Sequence, residues 1–185
     1  MTLTFTPKGF RPAESPGART LADGQVVVPV PGGAAYLYSP AIVLAVNVAL
    51  ATQRPLLLAG SPGTGKTTLA ANVAHVLGWR FYPRVVSSRS RARDLMWSFD
   101  TLRRLSDAQA SAQVGSAGLR PREAYIEPQT LWWAYEPDTA MRRGAQAGTE
   151  GVGFARDPAT PSRDARAVVL LDEIDKAEPD VPNDL

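Results

Sequence analysis

The chain has 185 residues, 44% of them apolar and 21% charged, with a formal net charge of +2. These values are typical of one globular domain, and the near-neutral charge gives no support to a polyanion partner. With no cysteine, no signal-like run at residues 1–10 and no apolar stretch long enough to cross a bilayer, we expect a cytoplasmic protein without disulfides or membrane contact.

Residues 1–38 are rich in proline and glycine, and we interpret them as an irregular N-terminal lead-in. Within it only "QVVVPV", residues 25–30, has the composition of a strand. Ser39 and Pro40 then suit the N-cap and first turn of a helix. The sequence that follows, "AIVLAVNVALATQ", is apolar nearly all round, which predicts a helix buried on more than one side.

From residue 55 the pattern becomes that of an α/β protein with parallel strands. The segment "PLLLAG" is continuously apolar, as in a strand covered on both faces. The elements predicted after it are a helix at 67–78, a strand at 79–86, helices at 99–113 and 128–144, and a strand at 166–171.

The segment "GSPGTGKTT" lies between the first of these strands and its helix and matches G-x-x-x-x-G-K-[ST]. Its glycines let the backbone wrap around an anion, and the helix N-terminus adds its dipole. Lys66 is then placed to reach the β- and γ-phosphates, and Thr67 to bind Mg²⁺. A glycine-rich turn that matches by chance is the alternative, which the strand–loop–helix context disfavours. The predicted phosphate-binding residues are Gly60, Ser61, Pro62, Gly63, Thr64, Gly65, Lys66, Thr67 and Thr68.

Two adjacent carboxylates, Asp172 and Glu173, follow the apolar "VVLL" of the last strand. Phosphoryl transfer on Mg²⁺ uses a carboxylate at the end of a strand beside the phosphate loop. We therefore predict Asp172 as a metal ligand and Glu173 as the catalytic residue that polarises the attacking water. Lys66 is the second predicted catalytic residue, through its contact with the phosphates. The alternative is an acidic strand end that faces solvent. The further acids are assigned to a solvated helix start: Asp175, Glu178 and Asp180.

Three weaker features are given structural interpretations. The arginine-rich stretch at 84–93 is interpreted as a solvated loop rather than a nucleic-acid contact, since no aromatic residue is interleaved with its arginines. Trp132 and Trp133 are interpreted as core or interface packing rather than base stacking. His75, the only histidine, is assigned no role.

The segments "LLLAGSPGTGKTTLA" and "VVLLDEIDKAEPDVPNDL" resemble the Walker A and Walker B segments of AAA+ ATPases, and the second is most similar to the MoxR-like branch. The resemblance covers residues 36–185. It implies a P-loop NTPase fold, a three-layer α/β sandwich whose parallel sheet has the order 5-1-4-3-2. It also implies that Asp172 supports Mg²⁺, that Glu173 activates the water, and that the helix after Ser39 lies near the adenine.

In function, the resemblance implies an ATP- and Mg²⁺-dependent hydrolase that forms a homo-oligomeric ring, often hexameric, and remodels partner proteins as a chaperone-like machine. A protein substrate or a von Willebrand A-type protein is the expected partner. On this interpretation residues 39–185 are a partial AAA+ core, and residues 87–165 contain a helical insertion that faces the pore or the partner.

By the same resemblance, the sensor residue, the arginine finger and the helical lid would follow Leu185, so we expect a sheet truncated after the Walker B strand. The chain alone is then expected to bind ATP weakly and to hydrolyse it barely. The alternative function is a nucleotide-binding switch or interaction module with little turnover. A P-loop protein acting on nucleic acid is not favoured, because twenty basic residues are balanced by eighteen acidic ones. A Ras-like GTPase is not favoured either, because no N-K-x-D sequence occurs.

Overall fold

The structure, a computed structural model, describes residues 9–30, 34–114, 119–159, 165–179 and 181. Its contacts divide the chain into two compact units, Met1–Trp79 and Arg80–Leu185, and each is described by itself. Parts of three predictions lie outside the described residues: the beginning of the lead-in, Asp180 and the final "PNDL". Within the described ranges, no helix has the length and apolar character needed to cross a membrane.

The first unit opens with a small antiparallel sheet in the region predicted to be mostly irregular. Its strands, in spatial order, are β1 (Arg19–Thr20), β2 (Val26–Pro29) and β3 (Ala35–Tyr38). The strand predicted at 25–30 corresponds to β2, the middle one. Val26 and Val28 of β2 are buried, and Tyr38 of β3 packs edge-on against Phe10 with ring centroids 5.3 Å apart. The lead-in therefore contributes an apolar core of its own.

Helix α1 (Pro40–Thr52) begins where the sequence predicts, because Ser39 Oγ accepts a hydrogen bond from Ile42 N at 3.3 Å. The prediction that it is buried on several sides is wrong. Of its thirteen residues, all of them described, Val46 alone is buried, and Leu44 is 65% exposed. Apolar composition predicts that a helix is buried, but it does not predict on how many faces. In this unit the buried face is the one that carries Val46.

The segment at 55–60, predicted as a strand from "PLLLAG", pairs with no strand among the described residues. Leu57 in its middle is 79% exposed. An apolar run becomes a strand only where a neighbouring backbone accepts its hydrogen bonds, and this run has no such neighbour in the described unit.

Helix α2 (Lys66–Leu77) follows the phosphate loop and ends where Gly78 predicts. Gly78 has a φ of 68°, and its N–H bonds to the carbonyl oxygens of Ala74 and His75. This left-handed residue is the usual glycine end of a helix. His75 itself is exposed.

In the second unit, β4 (Arg80–Val85) and β7 (Ala167–Asp172) pair in parallel, from Arg80 opposite Ala167 to Val85 opposite Asp172. These are the strands predicted at 79–86 and 166–171, and they are adjacent as the implied strand order requires. The predicted α/β class with a parallel sheet is therefore confirmed.

Between β4 and β7 the chain forms short helices and a second small sheet. The elements are α3 (Ala92–Met96), β5 (Trp97–Phe99), α4 (Thr101–Val114), β6 (Ile126–Pro128), α5 (Thr130–Tyr135) and α6 (Pro137–Met141). Strands β5 and β6 pair antiparallel and were not predicted, because three residues are too few to show a period. The single helix predicted at 128–144 is two, since Pro137 begins a new helix rather than continuing α5.

Helix α5 supplies the centre of the second unit by packing across β4 and β7. Trp133 is buried with Tyr82, Ala140 and Ala155, while Trp132 lies at the edge of this cluster. Trp132 Nε1 donates a hydrogen bond to Thr139 Oγ1 at 2.9 Å. The interpretation of the two tryptophans as packing residues is therefore confirmed within this unit.

Candidate functional site

The phosphate loop bends at three glycines with positive φ: Gly60 at 149°, Gly63 at 80° and Gly65 at 83°. Such values are strained for residues with a Cβ, so the loop conformation depends on the glycines. Gly65 is the N-cap of α2, which places the free N–H groups of the helix at the end of the loop. This arrangement suits an anion.

Lys66 returns its side chain over the loop that precedes it. Its Nζ donates to the carbonyl oxygens of Gly60 and Ser61, both at 2.8 Å. Thr64 Oγ1 donates to the same Ser61 oxygen at 2.9 Å. The ammonium group therefore lies beside the loop backbone, where it adds a full positive charge to the dipole of the helix.

Thr67 and Thr68 occupy the first turn of α2, and both are exposed. A hydroxyl oxygen in this position is a hard ligand of the kind that Mg²⁺ accepts. Thr67 follows Lys66 directly, so the two residues predicted to bind phosphate and metal are held by the same turn of helix.

Tyr36 of β3 lies beside the loop and was not predicted from the sequence. A Cβ built on Gly65 would lie 3.4 Å from Tyr36 Cε2 and 3.8 Å from its hydroxyl oxygen. Two residues on, the buried Tyr38 hydroxyl donates to Asn72 Oδ1 in the middle of α2. The alternation in "YLY" is the signal that could have shown both tyrosines on one face of a strand.

The two carboxylates lie in the second unit, at the carboxyl end of β7. Asp172 is half-buried, its carbonyl oxygen accepts Val86 N at 2.9 Å, and its Oδ1 accepts Glu173 N at 3.1 Å. Asp172 thus ends the parallel ladder in a fixed position. A strand end of this kind is where α/β folds present ligand-binding groups.

Glu173 is exposed and has a left-handed backbone, with φ 60° and ψ 36°. This conformation is uncommon for a residue with a side chain and occurs often at functional sites. It turns the chain out of β7 into the single 3₁₀ turn Ile174–Lys176. Glu173 therefore does not continue the alternation of the strand.

Lys176 lies opposite Glu173, with Nζ 2.8 Å from Oε2. The hydrogen bond to Glu173 is the main reason that the pKa of Lys176 is raised. Burial is the next largest effect and lowers this pKa, and the charges of Glu173, Asp175 and Asp172 raise it. Lys176 was not predicted as a partner of Glu173, although the three-residue spacing in "EIDK" is one at which side chains meet on a helical turn.

The arginine-rich stretch is a loop only in part: residues 86–91 are mostly exposed and lie between elements, whereas Arg84 is half-buried in β4 and Arg93 belongs to α3. The fold nevertheless brings an aromatic ring to it, because the guanidinium carbon of Arg93 lies 5.3 Å from the centroid of Trp97. Arg93 also approaches Asp94 at 4.0 Å. The guanidinium of Arg93 therefore has partners within the protein and needs no nucleic acid to explain it.

The nine phosphate-loop residues lie together in the first unit, and Asp172 and Glu173 lie together in the second. A family model, the AAA domain of the dynein-related subfamily, matches residues 55–185 and so spans both segments. The chain belongs to the AAA family. Neither the curated proteins nor the solved structures include a match to this chain.

Membership supports the coarser part of the functional prediction, since AAA domains are in general ATPases. The match begins at the apolar run before the phosphate loop, which assigns this exposed run to the AAA domain. The parallel pairing of β4 with β7 is consistent with the P-loop NTPase fold of the family.

Proposed function

We propose that this AAA domain binds ATP with Mg²⁺ and hydrolyses it, and that hydrolysis drives chaperone-like remodelling of partner proteins by a homo-oligomeric ring of the MoxR-like kind. The observation that carries the proposal is the phosphate loop, with three glycines at positive φ and Lys66 at the head of α2. A loop of this form can wrap around the negatively charged phosphates of a nucleoside triphosphate.

Each residue has a distinct role in this proposal. Lys66 releases the carbonyls of Gly60 and Ser61 to bind phosphate oxygens, which are stronger acceptors because they are charged. Thr67 and Asp172 offer a hydroxyl and a carboxylate oxygen, a donor set that fits Mg²⁺ better than softer metals. When bound, Mg²⁺ offsets the negative charge that develops on the phosphate oxygens. Glu173 orients the attacking water and accepts its proton.

The binding half of the proposal is tested by calorimetry with ATP in the presence and absence of Mg²⁺. Lys66→Ala is expected to weaken ATP binding about 10- to 100-fold, because a charge-assisted contact is lost. Asp172→Asn is expected to weaken binding only when Mg²⁺ is present. Binding by the Lys66→Ala variant as tight as that of the unaltered chain would contradict the proposed site.

The hydrolytic half is tested by phosphate release under single-turnover conditions. Glu173→Gln is expected to lower the rate about 100-fold or more while it leaves ATP affinity unchanged, because it removes a proton acceptor rather than a phosphate contact. The same variant should retain ATP and so stabilise any ring, which light scattering would detect as an ATP-dependent increase in mass. An unaltered rate for Glu173→Gln would contradict the role given to this residue.

A second candidate is a nucleotide-binding switch with little turnover. The observation that favours it is the segment at 55–60, which leads into the phosphate loop but joins no sheet in the described part of the chain, with Leu57 79% exposed. A loop on an unpaired segment has weaker support for the precise geometry of hydrolysis. ATP binding without glutamate-dependent phosphate release would favour the switch over the ATPase.

The partner in either case is proposed to be a protein, either a remodelled substrate or a von Willebrand A-type companion, in the cytoplasm. The Glu173→Gln variant with ATP bound is the form to use for detecting it. ATP-dependent association with a purified von Willebrand A-type protein would support the MoxR-like assignment, and equal association with and without ATP would count against it.

A further inference from the structure

The edge of the Tyr36 ring lies against Gly65, the last glycine of the phosphate loop. A Cβ built on Gly65 would lie 3.4 Å from Tyr36 Cε2, so a side chain at this position would meet the ring at van der Waals distance. Gly65 is held at a φ of 83° and is the N-cap of α2. The ring thus occupies the side of Gly65 from which a side chain would project.

Strand β3 touches α2 at two points rather than one. Tyr36 reaches the helix at its N-cap, and Tyr38 reaches Asn72, seven residues further along. Seven residues of helix span about 10 Å, and two residues of strand span about 7 Å. Contacts at both points fix the direction of the helix axis relative to β3 as well as its position.

The two tyrosines are themselves braced. Their ring centroids are 4.7 Å apart, and Tyr38 packs edge-on against Phe10 at 5.3 Å. Phe10 is tied to α1, because its N–H donates to Asn47 Oδ1 at 2.7 Å and its carbonyl oxygen accepts Asn47 Nδ2 at 2.9 Å. Phe10, Tyr38 and Tyr36 therefore form a row of three aromatic rings. One end of this row is hydrogen-bonded to α1, and the other lies beside Gly65.

We propose that Tyr36 is a positioning residue for the phosphate loop: its ring, beside Gly65, holds the loop and the N-terminus of α2 in the form that receives phosphate. This rests on the nucleotide binding proposed above. Three glycines leave the loop with many accessible conformations, and a rigid aromatic neighbour reduces the number that must be lost on binding.

This role predicts which part of the nucleotide responds to Tyr36. If the ring acts on the loop, its removal should weaken the binding even of a ligand that has phosphates and no base. If the ring instead contacts the adenine, its removal should weaken the binding only of a ligand that has a base. Inorganic tripolyphosphate, which has the phosphates of ATP and no nucleoside, separates the two.

The experiment measures the Kd of ATP and of tripolyphosphate by calorimetry, both with Mg²⁺, for the full chain and three variants. Tyr36→Ala removes the contact, and Tyr36→Phe keeps the ring without the hydroxyl. Leu37→Ala is the matched control, because Leu37 is the intervening residue on the same strand, points to the opposite face and is exposed. Thermal melting of each variant checks that it is folded.

We expect Tyr36→Ala to weaken both ligands by the same factor, about three- to tenfold, in line with the usual energy of an aromatic contact. Tyr36→Phe and Leu37→Ala should bind as the unaltered chain does. Weakening of ATP alone, or equal effects of Tyr36→Ala and Leu37→Ala, would overturn the inference. An unaltered chain that binds neither ligand would instead refute the proposed function, so the two failures are distinguishable.

Discussion

Lys176 Nζ lies 2.8 Å from Glu173 Oε2, so the carboxylate proposed to activate water has a cation as its neighbour on the same turn. Both side chains are about half exposed, and solvent weakens the pair. A weak, exposed partner can hold a carboxylate in place and still release it. The pair therefore orients Glu173 at little cost to its ability to accept a proton.

Replacing Lys176 with Met tests whether the pair serves catalysis. Loss of the cation removes a weak, solvated partner of Glu173 and no group that is proposed to touch the reacting atoms, so we predict a phosphate-release rate within about threefold of the unaltered one. Glu173→Gln, measured beside it, should lose about 100-fold or more. A loss for Lys176→Met as large as that for Glu173→Gln would mean that the lysine itself acts on the reacting groups.

Two glycines at opposite ends of α2 offer a second, matched test. Gly65 and Gly78 both have left-handed backbones, with φ 83° and 68°. Alanine at either position is therefore expected to cost about 1 kcal/mol of unfolding free energy. Only Gly65→Ala changes the phosphate loop, so it alone should weaken ATP binding in calorimetry. Equal ATP affinities for the two variants would show that the loop tolerates the strain.

Helix ends were the most predictable part of the fold, because they depend on neighbours in the sequence. Ser39 caps α1 and Gly78 ends α2 through contacts within four residues, and both were predicted correctly. The strand expected before the phosphate loop was predicted from apolar content alone. A strand also needs a paired backbone, which no local pattern reveals.

The residues of the candidate site also differ in whether a local sequence pattern could predict them. The phosphate-loop residues and the carboxylate pair could be named from the sequence because a fixed spacing and a strand end define them. Tyr36 could not, since it lies beside Gly65 only because the fold brings together residues 29 positions apart, one in a strand and one at a helix N-terminus. Lys176 could have been named, because its three-residue spacing from Glu173 is local.

Glu127 contacts two arginines of unequal burial, which gives a stability prediction with an internal control. Arg143 Nη1 lies 2.8 Å from Glu127 Oε1 with its side chain 11% exposed, whereas Arg103 approaches the same oxygen at 3.9 Å and is 39% exposed. Arg143 also donates to the carbonyl oxygens of Gly153 and Ile126. It thus ties the segment after α6 to β6.

We predict that Arg143→Met lowers the free energy of unfolding by about 2 kcal/mol, because it removes a largely buried guanidinium that contacts three oxygen acceptors. Arg103→Met should cost less than about 1 kcal/mol, since its ion pair is long and solvated. Urea unfolding followed by circular dichroism measures both. Similar losses for the two variants would show that burial does not decide the strength of these contacts.

Tyr82 gives a prediction for alkaline pH. Burial is the main cause that raises the pKa of its hydroxyl above 10.0, the hydrogen bond to Asp157 and the charge of that residue raise it further, and Arg80 opposes them. The folded chain therefore keeps this proton at pH values where the unfolded chain has lost it. Stability is full below about pH 10, the pKa of unfolded tyrosine, and declines as pH rises toward the folded pKa.

The Tyr82→Phe variant cannot titrate at this position, so its stability should decline less steeply above about pH 10, by as much as about 1.4 kcal/mol per pH unit. Its stability at neutral pH should also be lower, because Arg80 and Asp157 lose a shared partner, and the change in slope separates the two effects. Tyr135→Phe is the control, since Tyr135 is 71% exposed and its replacement should leave the slope unchanged. Urea unfolding at a series of alkaline pH values measures the slopes, and equal slopes for Tyr82→Phe and the unaltered chain would show that the buried hydroxyl is not the group that titrates.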